Sequence, residues 1–87
     1  MFSPRLDDKC LIFIFGKEQI VPLHMMFVFF PIDIVFLNRT KQIVESFENA
    51  KPFISYITPK RKAMYVIELP AGTIRKNHLK TGDKLEF

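Results

Sequence analysis

Asp33 is the residue of this chain most out of keeping with its surroundings, set in the run Pro31-Ile32-Asp33-Ile34-Val35. A carboxylate buried among such neighbours is costly unless its oxygens are bonded. Two uses would justify it. With His24 upstream it would act as a general base or a metal ligand. Alternatively, it accepts hydrogen bonds from backbone N–H groups or from an Arg. The structural use is favoured, because no second carboxylate lies close by and no ligand spacing repeats. Cys10, His24, Asp33 and His78 are donors that zinc accepts, but no CxxC, HxxxH or HExxH spacing joins them. Neither a metal nor a cofactor is expected. Cys10 follows Lys9, whose charge favours a thiolate, yet a lone Cys entering an apolar strand is more often a small buried hydrophobe. Ser3, Ser46 and Ser55 stand in no nucleophile-elbow context. No catalytic residue is assigned.

The cations offer a second chemistry. Lys60-Arg61-Lys62 lies between Tyr56 and Tyr65, and Arg75-Lys76 follows within the same half of the chain. Residues 51–87 hold eight basic against three acidic residues, whereas residues 1–50 hold five against six. Aromatic side chains interleaved with Lys and Arg suit base stacking and phosphate contact on a β platform. The competing reading is a solvated turn that keeps an apolar protein dispersed. Gly72 and the Gly82-Asp83 pair are turn chemistry. Two isolated glycines do not make a phosphate cradle, which needs consecutive N–H groups.

The elements that must position these groups are mostly strands. Leu11–Phe15 is wholly apolar and β-prone, and Gly16-Lys17-Glu18-Gln19 reads as the turn that ends it. Leu23–Phe30 and Ile32–Leu37 read as two more strands, separated by Pro31. Asn38-Arg39-Thr40-Lys41 then turns the chain into a hairpin with Gln42–Phe47. Residues 49–59 are irregular around Pro52 and Pro59. Ala63–Leu69 is the clearest strand of the second half, stopped by Pro70-Ala71-Gly72. Thr73–His78 makes a short helix with Thr73 as N-cap, packed by Ile74 and Leu79 with Arg75 and Lys76 in solvent. Lys84–Phe87 closes the list as a sixth strand. The fold expected is mainly β, a β-rich α+β chain forming a small antiparallel or mixed barrel of about six strands with one short C-terminal helix.

Eighty-seven residues suit a single domain, with residues 1–10 as an N-terminal arm. Apolar residues make up 48% and the formal charge is +4, which excludes a disordered tail and a collagen-like repeat. A lone cysteine excludes a disulfide scaffold and, with no secretory signal after Met1, suits a cytoplasmic location. Ile20–Leu37 is apolar enough to suggest a membrane helix, but Pro22, Pro31 and Asp33 interrupt it. No membrane span is expected. The strands between Leu11 and Leu37 do not alternate between apolar and polar positions. Such runs belong to a sheet covered on both faces, or to one that meets another subunit.

From Met25 to Leu37 the sequence MMFVFFPIDIVFL resembles the DUF192 (UPF0127) family in its archaeal form. The likeness continues in order through Leu11–Phe15, Lys51-Pro52-Phe53, Tyr56, Thr58-Pro59-Lys60 and Ala63. It ends with Tyr65–Gly72 and Gly82-Asp83. Phe53 stands where the family usually has tryptophan, and Lys9-Cys10 where bacterial members have glycine-methionine. The family's first strand and its arginine-x-glycine-leucine-methionine motif have no counterpart ahead of residue 9. The resemblance implies a compact barrel-like fold and no particular activity.

Together these readings describe a non-catalytic module that binds a small ligand or a protein. Its ligand-binding candidates are His24, Asp33, Phe53 and Tyr56, at the barrel mouth and the Pro52–Pro59 loop. The alternative is a nucleic-acid-binding module using Lys60, Arg61, Lys62, Arg75 and Lys76. An enzyme with Asp33 as base ranks third. The strand edge left open by the missing family segment predicts a homodimer.

Overall fold

A computed structural model describes residues 10–24, 31–51 and 56–87 of the chain. Within them six strands and one helix follow in the order β1 (Leu11–Gln19), β2 (Leu23–His24), β3 (Ile32–Leu37), β4 (Ile43–Ala50), β5 (Tyr56–Ile57), β6 (Ala63–Pro70) and α1 (Thr73–Lys76). β1, β6, β3 and β4 make one four-stranded sheet in that order, and β2 pairs with β5 in a short ladder. Every pairing is antiparallel.

β3 is the central reason the chain folds this way. All six of its residues are buried, so neither face of the strand reaches water. Ile32, Ile34 and Phe36 join Val66, Val21 and Ile57 in one apolar cluster. Val35 and Leu37 join Ile67, Ile74, Leu79 and Leu85 in a second cluster on the opposite face. The ladder side of the chain therefore covers one face, and α1 with the segment after it covers the other. That explains the unbroken apolar sequence of Ile32–Leu37. Each fully buried aliphatic side chain contributes about 1.5–3 kcal/mol by leaving water. Phe36 also meets Phe47 edge to face, with ring centroids 5.8 Å apart.

Four expectations are corrected. The described residues form an open sheet rather than a closed barrel of six strands, with β6 on one side of β1 and no described strand on the other. Lys84–Phe87 supplies a single bridge, Lys84 to Gln42, instead of a sixth strand. Its backbone is drawn to the β3–β4 turn, where Leu85 N–H donates to Lys41 O at 2.9 Å. β1 does not stop at Phe15 but continues to Gln19. Between Ile14, opposite Tyr65, and Gln19, opposite Ala63, β1 spends five steps where β6 spends two, so Gly16-Lys17-Glu18 arches out of the ladder as an irregular bulge. Finally, the cap of α1 is Gly72 at φ 93°, and Thr73 instead donates its hydroxyl to Pro70 O at 2.6 Å. The hairpin from β3 into β4 is as the sequence predicts, as are the buried Ile74 and Leu79 and the exposed Arg75 and Lys76. Of Leu23–Phe30, residues 25–30 lie outside the described part.

Candidate functional site

Asp33 is fully buried, and both its oxygens are used. β4 carries one extra residue between the positions opposite Ile34 and Ile32, a bulge that includes Asn49 at φ 53°. A bulge takes a backbone N–H out of the ladder, and Asn49 N–H donates to Asp33 Oδ1 at 2.8 Å. The first N–H groups of a helix likewise lack partners inside it, and Ile74 N–H donates to Asp33 Oδ2 at 2.8 Å. One side chain thus ties β3, the β4 bulge and the start of α1 together, the acceptor role that the sequence favoured.

Asp33 lies opposite Leu69 and so shares the face of the second cluster. His24 and Tyr56 are directly opposite each other in the β2–β5 ladder, and Ile57 of that ladder packs in the first cluster. The ladder and Asp33 therefore stand on opposite faces of the main sheet. His24 and Tyr56 are brought together; Asp33 is not brought to them. Phe53 lies outside the described residues. Among those residues, no three His, Cys, Asp or Glu side chains gather as metal ligands would. Cys10 is half-buried and packs against the second cluster.

The basic candidates divide. Arg75 and Lys76 lie on α1, where Arg75 approaches Glu48 at 3.9 Å. Lys60-Arg61-Lys62 forms the exposed turn into β6. Glu45 Oε1 fixes that turn by accepting from Lys60 N–H at 2.8 Å and Arg61 N–H at 3.1 Å. An open cleft of about 540 Å³ is lined by Gly16, Lys17, Glu18, Arg39, Thr40 and Met64. The β1 bulge makes one wall and the β3–β4 turn the other. Glu18 Oε2 accepts from Arg39 N–H at 2.8 Å, joining the two walls. Asn38 Oδ1 shapes the turn by accepting from Thr40 N–H and Gln42 N–H, each at 3.0 Å. Sequence reading took Gly16–Gln19 and Asn38–Lys41 as two separate turns and missed their meeting. The polar residues were visible in both, but the bulge that swings them together was not.

A family model for DUF192, described as an uncharacterized ACR (COG1430), matches residues 1–87. The chain belongs to the DUF192 family. A UPF0127 protein of Pyrococcus furiosus is 37% identical over 85 residues, covering 95% of this chain and 72% of that protein. One from Thermococcus sibiricus is 32% identical over 89 residues. This chain spans 56% of the length of that second relative. Among solved structures, a Sinorhizobium meliloti protein assigned provisionally as a transcription regulator matches with TM-score 0.82 and 28% identity, over 93% of this chain and 65% of that one. A Novosphingobium aromaticivorans protein of unknown function matches with TM-score 0.83 and 25% identity, over 100% of this chain and 64% of that one.

Three further features of this DUF192 chain lie outside the candidate residues. No described helix is long and apolar enough to cross a membrane. Along β1, Leu11, Phe13 and Ile14 are 56%, 42% and 69% exposed, and Ile20 just beyond is 41% exposed. Glu68 lies between Leu11 of β1 and Ile34 of β3, and burial there pushes its carboxyl above the usual carboxylate range.

Proposed function

We propose that this DUF192 chain is a non-catalytic binding module whose working surface is the β1 edge, with a second copy of the chain as its partner. The observation that carries this is the exposure of Leu11, Phe13 and Ile14 on a strand with β6 on one side only among the described residues. Such an edge presents backbone donors and acceptors to another strand. Self-pairing suits β1 because Leu11–Phe15 carries no charge. The non-catalytic half of the reading is supported by how the carboxylates are used, with Asp33, Glu45, Glu18 and Asp83 each accepting a main-chain N–H. A small ligand would be met by His24 and Tyr56, and the lone cysteine suits a cytoplasmic setting. Light scattering across a concentration series tests the proposal. A dimer mass is expected for the natural chain, and a monomer for Ile14→Lys with an unchanged circular dichroism spectrum. A natural chain that stays monomeric throughout would overturn it.

A second reading, nucleic-acid binding, is favoured by Lys17 and Arg39 standing in one open cleft beside Met64. The provisional assignment of the Sinorhizobium relative points the same way. Salt-dependent retention on immobilised single-stranded DNA tests it.

A further inference from the structure

Two cations, Lys17 and Arg39, line the cleft where the β1 bulge meets the β3–β4 turn, and three more, Lys60, Arg61 and Lys62, precede β6 at the same end of the sheet. Gln19 pairs with Ala63, so the β1 bulge carrying Lys17 lies opposite Met64, two residues along the chain from Lys62. The main-chain bond from Arg39 to Glu18 brings in the β3–β4 turn. Lys17, Arg39, Lys60, Arg61 and Lys62 are all exposed. The acidic side chains beside them, Glu18 and Glu45, are held by main-chain N–H groups. None of the five cations has an ion-pair partner among the described residues; the ion pair found there is Arg75 with Glu48. Between the walls lies Met64, half-buried, with Gly16 adding no side chain.

We infer that this cleft is a binding site for single-stranded nucleic acid, with Lys17 and Arg39 on the phosphates, Met64 as an apolar floor for a base, and the Lys60–Lys62 turn continuing the phosphate track. The inference rests on the nucleic-acid reading above and gives it a location that the C-terminal half alone does not. The cations come from three separate segments, the β1 bulge, the β3–β4 turn and the turn before β6, so a ligand that uses them all carries repeated negative charge. The cleft is open-sided, so a chain can pass through it. An apolar floor between cationic walls gives a base a surface to pack on, with Met64 in the place where single-strand binders use an aromatic side chain.

Fluorescence anisotropy of labelled oligo(dT) and oligo(U), each about a dozen nucleotides long, decides the matter with the full chain. Binding by the natural protein is expected, with a log–log salt slope of roughly −2 to −3.5, about 0.7 for each phosphate neutralised. The double variant Lys17→Glu/Arg39→Glu should weaken it about tenfold or more at low salt. Lys60→Glu/Lys62→Glu should weaken it in the same direction, and Arg75→Glu/Lys76→Glu should leave it within about twofold. Each variant changes exposed side chains, and circular dichroism confirms that it folds. Binding that resists both cleft-corner variants, or falls only with the Arg75 and Lys76 changes, would overturn the cleft while leaving the nucleic-acid reading standing. No binding by the natural protein at low salt would overturn both.

Discussion

Asp33 answers to two elements at once, so its loss should be felt in both. Asp33→Ala leaves the N–H groups of Asn49 and Ile74 without partners in the interior, at a cost of about 1–3 kcal/mol in urea denaturation. Asp33→Asn should also destabilise, because its amide keeps one acceptor and turns a donor toward the second N–H. Equal stability of the alanine variant and the natural chain would contradict the role. That Asp33 must be bonded was legible from its sequence neighbours, since a carboxylate among Ile and Val has no cheaper fate. Its partners were not, because they stand 16 and 41 residues away and one depends on a bulge. Glu68 gives the pH dependence. Burial between Leu11 and Ile34 raises its carboxyl, so the folded chain holds this proton to higher pH than the unfolded chain does. Stability from this group is full below the unfolded carboxyl's range and is lost as pH rises through the folded one. Denaturation midpoints measured across that acid range should fall with rising pH at Glu68, and Glu68→Gln should flatten that fall and gain stability near neutrality.

At the scale of elements, turns and bulges decide what the strands can reach. Gly72 caps α1 at φ 93°, a conformation that disfavours any side chain. Gly72→Ala should therefore cost about 1 kcal/mol in thermal or urea unfolding, even though nothing lies within 4 Å of the added methyl. An unchanged midpoint would show that the helix start relaxes freely. The strands β3 and β6, the β3–β4 hairpin and the short helix were legible, because apolar runs bounded by Pro, Gly and Asn leave few alternatives. The continuation of β1 to Gln19 was not. Gly16-Lys17-Glu18 has the composition of a turn, and only pairing of Gln19 with Ala63 keeps it in the sheet. The barrel expected from six strand candidates failed for a related reason. Lys84–Phe87 has strand-like residues but gives its backbone to the β3–β4 turn.

For the whole molecule, the distribution of surface follows from these elements. Two faces of one sheet are covered by a short ladder and a short helix. Among the described residues, the remainder includes an apolar edge at Leu11–Ile14 and exposed cations at Lys17, Arg39 and Lys60–Lys62. Sequence counting assigned the positive charge to residues 51–87, but folding puts two cations of the first half, Lys17 and Arg39, in one cleft and leaves Arg75 and Lys76 on α1. The backbone of β1 reports directly on the proposed homodimer. Hydrogen exchange of the Leu11–Ile14 amides should be compared at low and high protein concentration. Strand pairing between copies predicts that alternate amides of this segment, those turned away from β6, slow as concentration rises, while β3 amides stay unchanged. Exchange at Leu11–Ile14 that is independent of concentration would contradict it.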